Sequence, residues 1–366
     1  MESTGYFFVL SYLNLWINVK IKALSFVLTA ALLLCGCGQK SETAAAAPAQ
    51  AVTASAAQSS TARPVSTGVT PEQFGAKGDG IADDLQALQA AMQQASASGR
   101  PLELTAGAVY RFSSCLGLPS GLTIQGNGAV LLSDIQYPDL REDRVAVELM
   151  KDSDDDRAHD VRLENVTFRA ADSCQANYML RVMLARNVEF VGCTFDCEPN
   201  EWGRCAADLY GGNENIRFEG CVFRQMTSGA SGGIWVRNWT DRVESRNIRF
   251  QNCEFYKSGA DELLAVWGWS GAVRDVVLSG CSFYETQTQE ALDADHCPVW
   301  FITLGQSGTT DVRMEDCTVR AEYCETIFRM VGDKNRAVVD NCDITMKQPD
   351  SMAKHDMKKG ANPMLC

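Results

Sequence analysis

An eight-residue pattern that returns every 25 to 36 residues constrains this chain more than any other feature. It stands at Val161-Arg162-Leu163-Glu164-Asn165-Val166-Thr167-Phe168 and recurs at residues 188–195, 216–223, 248–255, 276–283, 312–319 and 337–344. The first, third, sixth and eighth positions are mostly apolar, and Gly, Asn or Asp holds the fifth. Alternation marks extended chain, and the turn-former at the fifth position suits a bend that resets the alternation. One such unit cannot bury its apolar face alone, whereas a stack of them can. The period predicts a solenoid of roughly nine turns over residues 102–346, with equivalent positions about 4.8 Å apart.

From the second unit onward the sixth position is cysteine: Cys193, Cys221, Cys253, Cys281, Cys317 and Cys342. Stacking should align these six as an internal ladder. The chain has 15 Cys, which in an exported protein first suggests disulfides. A column of buried small apolar side chains is the simpler reading. Cys297 and Cys324, each eight residues before a glycine, are the best disulfide candidate.

Ahead of the repeats stands Phe74-Gly75-Ala76-Lys77-Gly78-Asp79-Gly80-Ile81-Ala82-Asp83-Asp84. Its glycines permit tight turns, and Asp83 or Asp84 can cap the helix that follows. Leu85, Leu88, Ala91, Met92 and Ala95 recur at helical spacing, and Gly99 and Pro101 end the helix, so it should run over 85–97. The acidic pair reads as structural, with a catalytic or metal-binding pair as the alternative. This opening, with Leu122-Thr123-Ile124-Gln125-Gly126-Asn127-Gly128, resembles the pectate-lyase-like superfamily of rhamnogalacturonase and epimerase type. The resemblance implies an all-β fold, a single right-handed parallel β-helix whose N-terminal helix plugs the open end. It also implies action on polysaccharides. The polygalacturonase elements Gly-His-Gly and Arg-Ile-Lys are missing from residues 67–346, and Ala260-Asp261-Glu262 only distantly echoes Gly-Asp-Asp.

The N-terminus reads as export machinery. Lys20 and Lys22 precede an apolar run, residues 23–34, too short to span a bilayer comfortably. It ends in Leu34-Cys35-Gly36-Cys37, which resembles a bacterial lipobox with Cys37 as the lipidated residue. Residues 38–66 are almost only Ala, Ser, Thr, Gln and Pro, a flexible tether. The expected organisation is an export signal over 1–37, the tether, the β-helix over 67–346 and a polar tail over 347–366. The expected location is secreted, cell-surface or outer-membrane, with the lipid as the membrane contact. A net charge of −13 disfavours nucleic acid. With three histidines, a zinc site built on several imidazoles is nearly excluded.

Residues 228–238 align with 258–268, which places Trp235, Arg237, Ala265 and Trp267 outward if Ile234, Val236, Leu264 and Val266 point inward. Five of the seven tryptophans fall here: Trp235, Trp239, Trp267, Trp269 and Trp300. Outward Trp on a flat sheet offers a stacking platform for sugar rings, unless loops cover it. Asp261 and Glu262 replace Ser231 and Gly232 of the preceding turn, and Asp293, Asp295 and His296 follow one turn later. These carboxylates suit glycoside cleavage, with His296 or Arg237 as base or charge-neutraliser. They equally suit Ca²⁺ at Asp261, Glu262, Asp293 and Asp295, the cofactor open to this chain, or solvated turns. Arg162, Arg217, Arg249 and Arg313 share an outward repeat position, with Glu164, Glu219 and Glu315 two residues on, which reads as a mixed-charge solvated face. Together these features favour a carbohydrate-active lyase or hydrolase acting on a pectin-like or other uronate-containing glycan. The alternative is a non-catalytic surface protein that binds glycan or protein partners.

Overall fold

The computed structural model describes residues 68–136, 144–151, 156–196, 205–226, 233–239, 243–257, 263–285, 300–305, 308–321, 326–346, 353–356 and 364–365. Their strands pair in parallel throughout and form three sheets of ten, nine and ten strands, here sheets I, II and III. The chain visits III, I and II in turn: Leu102–Glu103, Val109–Phe112 and Leu116–Gly117, then Thr123–Gln125 back in sheet III. Nine complete turns follow between Leu102 and Asp356. This is a right-handed parallel β-helix. The coil runs past Met346, because Ala353–Asp356 pairs with Thr326–Val331 and Met364–Leu365 pairs with Asn335–Asp340.

The eight-residue pattern is two strands rather than one. Asn165, Gly192, Gly220, Asn252, Gly280, Asp316 and Asn341 each stand between a strand of sheet III and one of sheet I, with φ between 50° and 61°. Only Gly, Asn and Asp enter this left-handed region cheaply, so the fifth position of the repeat is fixed by backbone sterics.

Inside the coil, equivalent side chains stack. Phe168, Phe195, Phe223, Phe255 and Phe283 form a buried column with ring centroids 4.7–5.0 Å apart. Phe190, Phe218 and Phe250 form a second column at 4.8 and 5.0 Å and meet the first edge-on. These spacings are the strand separation itself, so each turn adds one ring per column. The cysteine ladder lies beside them. Cys193 to Cys317 are buried, and each Sγ donates to a carbonyl oxygen of an earlier turn, as Cys221 does to Phe190 at 3.3 Å. All nine described cysteines are free thiols. Cys297 and Cys324 lie outside the described residues.

The helix spans Leu85–Ser98 and buries Leu85, Leu88, Ala91, Met92 and Ala95 in the same core as Leu102, Leu104 and Leu116 of the first turn. It ends at Gly99, φ 64°. The acidic pair before it is structural. Asp84 is buried and accepts the backbone N–H groups of Lys77 and Gly78 at 2.7 and 3.0 Å, and Asp83 accepts that of Leu85 at 3.2 Å.

Candidate functional site

The outer face of sheet II gathers the aromatic and charged side chains. In Tyr178–Met183, Cys205–Tyr210, Ile234–Asn238 and Leu264–Gly268, the inward positions are Leu180, Val182, Ala207, Leu209, Ile234, Val236, Leu264 and Val266, all fully buried. Alternation turns the next residues outward. Arg181, Asp208, Trp235 and Ala265 pair across successive strands as one row, and Tyr210, Arg237 and Trp267 as another.

Asp208 is the centre of this face. Arg237 donates to its two carboxylate oxygens from Nε at 2.7 Å and Nη2 at 2.8 Å, and Arg181 Nε donates at 3.0 Å. Asp208 is fully buried and both arginines are nearly so. Buried charges persist when paired and hydrogen-bonded. Rings close over them. The Arg237 guanidinium lies 4.3 Å from the Trp235 centroid and 4.7 Å from that of Tyr210, and the Arg181 guanidinium lies 4.6 Å from Tyr178. Burial alone would lower the Arg237 pKa, but the hydrogen-bonded Asp208 carboxylate raises it. Burial pushes the Tyr178 phenol up to about 12.

The aromatic cluster continues outward and reaches solvent. Trp235 lies 5.5 Å from Trp267, and Trp239 stacks on Trp269 at 4.3 Å with an 11° tilt. Trp239 also stacks with Tyr210 at 6.3 Å and is 37% exposed, so part of the ring reaches solvent. The Trp267 Nε1 is buried and has no hydrogen-bond partner among the described residues.

The structure therefore brings together Trp235, Trp239, Trp267, Trp269 and Arg237 of the expected site. Trp300 begins the strand Trp300–Gly305 of the same sheet. Asp261, Glu262, Asp293, Asp295 and His296 lie outside the described residues, as does Cys37. Arg237 is held within the protein by Asp208, a carboxylate it shares with Arg181. Sequence reasoning missed Tyr178, Arg181, Asp208 and Tyr210. The available signal was the register: Ala207-Asp208-Leu209-Tyr210 sits one turn before Ile234-Trp235-Val236-Arg237.

The arginines of sheet III form no free basic stripe. Glu189 and Val277 interleave with Arg162, Arg217, Arg249 and Arg313 in the row. Arg162 pairs with Glu164 at 2.6 Å and with Glu189, Arg217 pairs with Glu219, Arg249 with Asp275 at 2.5 Å and Arg313 with Glu315 at 3.0 Å. Beside them runs a shallow groove of about 460 Å³. There Asn187, Asn215 and Asn247 each donate an amide N–H to Asp160, Asn187 and Asn215 in turn. That groove's polar groups largely satisfy one another.

No curated protein matches this chain. Among solved structures it is similar to ORF18 of Geobacillus virus E2, with a TM-score of 0.51 at 15% identity over 81% of this chain and 60% of that one. This chain therefore spans under two thirds of that protein. The surface adhesin PfbA of Streptococcus pneumoniae gives a TM-score of 0.47 at 13% identity over 77% of this chain and 91% of that one. Endo-xylogalacturonan hydrolase from Aspergillus tubingensis gives 0.46 at 14% identity over 81% and 94%. At these identities the likeness is one of fold. Residues 69–353 match the family described as rhamnogalacturonase A/epimerase, pectate lyase-like, a stretch that runs from Val69 to the start of the strand Ala353–Asp356. This chain belongs to that rhamnogalacturonase A/epimerase, pectate lyase-like family.

Proposed function

We propose that this chain is an extracytoplasmic carbohydrate-active protein that holds a polysaccharide along the outer face of sheet II and cleaves or modifies it there. One observation carries the reading. Tyr178, Tyr210, Trp235, Trp239, Trp267 and Trp269 converge around two arginines on that face, and Trp239 opens the cluster to solvent. The exposed faces and edges of an aromatic cluster offer apolar surface to the C–H groups of sugars. The family's character supports a glycan as the ligand. Chemistry would fall to Asp261, Glu262, Asp293, Asp295 and His296, with Ca²⁺ as an optional bridge to an acidic glycan and Arg237 as a structural cation.

A second reading, a surface protein that binds glycan without cleaving it, has its own support. Asp208, fully buried beneath the aromatic rings, has both carboxylate oxygens engaged by two arginines. Incubation with a panel of uronate-containing polysaccharides, with and without Ca²⁺, separates the two. Ultraviolet-absorbing unsaturated products mean a lyase, and new reducing ends alone mean a hydrolase. Binding without products means the second reading. No binding to any member of the panel overturns both.

A further inference from the structure

A second aromatic row lies on sheet I, a different face of the coil. In Thr194–Asp196, Val222–Met226, Glu254–Lys257, Ser282–Glu285 and Thr318–Ala321, the inward residues are Phe195, Phe223, Phe255, Phe283 and Val319, all buried. The residue after each follows it on the outer side: Asp196 pairs with Arg224, and Tyr256, Tyr284 and Arg320 pair in line, with a register irregularity after Phe223 between the two groups. The Tyr256 and Tyr284 rings stack at 5.1 Å with a 22° tilt, and both are partly exposed. Tyr256 donates its hydroxyl to Glu254 at 2.8 Å, which fixes the ring.

The cations of this row differ in what they hold. Arg169, one strand earlier, pairs with Asp196 at 3.1 Å, and Arg320 pairs with Asp343 at 2.5 Å. Arg224 is exposed, lies 5.9 Å from the Tyr256 ring and makes no ion pair among the described residues. It is an exposed cation beside a stacked tyrosine pair, on a protein whose net charge is −13.

We propose that Tyr256, Tyr284 and Arg224 form a second glycan-binding site, which takes a sugar ring on the tyrosine pair and an acidic substituent on the guanidinium. Two rings stacked one strand spacing apart turn their edges outward over about one pyranose length, where sugar C–H and hydroxyl groups can meet them. Arg224 meets a carboxylate with its planar fork. Asp196 and Glu254 nearby disfavour a densely charged polyanion such as nucleic acid. The site shares no residue with the sheet II face and stands without it.

The test measures binding of a short oligogalacturonide, and of its methyl-esterified neutral form, to the full chain. The background is Trp239→Ala with Trp269→Ala, which removes the exposed sheet II stack. The acidic oligosaccharide should still bind this background. Tyr256→Ala with Tyr284→Ala should then weaken it about tenfold or more, and Arg224→Gln should weaken the acidic form but not the neutral one. Arg224 is solvent-exposed, so that variant keeps the fold and stands as the control if the tyrosine variant unfolds. Unchanged binding in Arg224→Gln, or no binding by the background while the wild type binds, overturns the proposal and leaves the sheet II reading intact. Equal binding by the wild type and the background, lost with the tyrosines, supports this site and removes sheet II.

Discussion

Asp208 and Arg237 meet in a two-point ion pair, 2.7 and 2.8 Å long, on the outside of a β-helix yet out of reach of solvent. Arg181 completes the arrangement from the preceding turn. Asp208→Ala would remove the carboxylate that two buried guanidiniums share, and with it both Arg237 hydrogen bonds to that carboxylate. The expected cost is about 3–5 kcal/mol, read as a lower urea midpoint at unchanged slope. Asp208→Asn keeps shape and some hydrogen bonding and should cost less. A loss under about 1 kcal/mol for Asp208→Ala would show the arginines to be solvated and the triad to be no structural centre.

Trp239 and Trp269 separate binding from folding. Trp239 is 37% exposed and stacks on Trp269, so its removal uncovers little core. Trp239→Ala should weaken glycan binding about tenfold, on the order of 1.5 kcal/mol, with the melting temperature nearly unchanged. Calorimetric titration with the best-bound polysaccharide measures the first and a thermal scan the second. A large drop in melting temperature without change in affinity would place the stack among the structural contacts.

The expected export signal ends at Cys37. We propose that it is the first residue of the mature protein and carries lipid. Cys37→Ser should move the protein from the membrane fraction to the soluble one. Retention of Cys37→Ser in the membrane fraction, with cleavage elsewhere by mass spectrometry, would refute the assignment.

The coil was legible because its constraints repeat. Each turn needs a left-handed residue between sheets III and I, an apolar residue two before it and a small apolar one just after, so Asn252-Cys253 and Gly280-Cys281 announce themselves. The outward face of Trp235 and Trp267 was legible for the same reason, since a 30-residue alignment fixes parity. Asp208 was not. Its role depends on Arg181 and Arg237 from neighbouring turns, spaced 27 and 29 residues away. A single outward Asp in a strand carries no mark of burial, because alternation assigns a side chain to a face but not to what later covers that face.

The left-handed bends make a stability prediction that separates backbone from side chain. Gly280 has φ 61°, and a Cβ there would lie 2.5 Å from Asn252 Oδ1. Gly280→Ala should cost about 1–2 kcal/mol from conformation alone, and more if the Asn252 side chain cannot move. Asn252→Gly keeps the φ and should fall within about 0.5 kcal/mol of wild type. Chemical unfolding of the two variants gives the comparison, and equal stabilities would remove the steric account of the repeat's fifth position.

The thiol ladder gives the last prediction. Cys221 stands between Cys193 and Cys253 in the stack. Hydrogen bonding with those two thiols, then burial, pushes its pKa up. Cys281, between Cys253 and Cys317, is raised for the same reasons. The same hydrogen bonding lowers Cys193, Cys253 and Cys317, so what protects the whole ladder from oxidants and alkylating agents is burial, which keeps the reagent out of the column. Cys193, Cys221, Cys253, Cys281 and Cys317 should stay unlabelled by iodoacetamide in the native protein and become fully labelled in concentrated guanidinium, with peptide mass spectrometry reading each site. Cys115 tests whether access alone decides. It is partly exposed, yet burial and then the Glu148 charge push its pKa up to about 12, so it should label slowly in the native state at neutral pH and faster as pH rises. Cys253→Ala leaves a gap of one sulfur between stacked neighbours and should cost about 1 kcal/mol or somewhat more, since interior packing is dense. Fast labelling of any buried ladder thiol in the native protein, or a disulfide between adjacent ones, would show that the stack opens to solvent and that the coil is not held by packing at its bends.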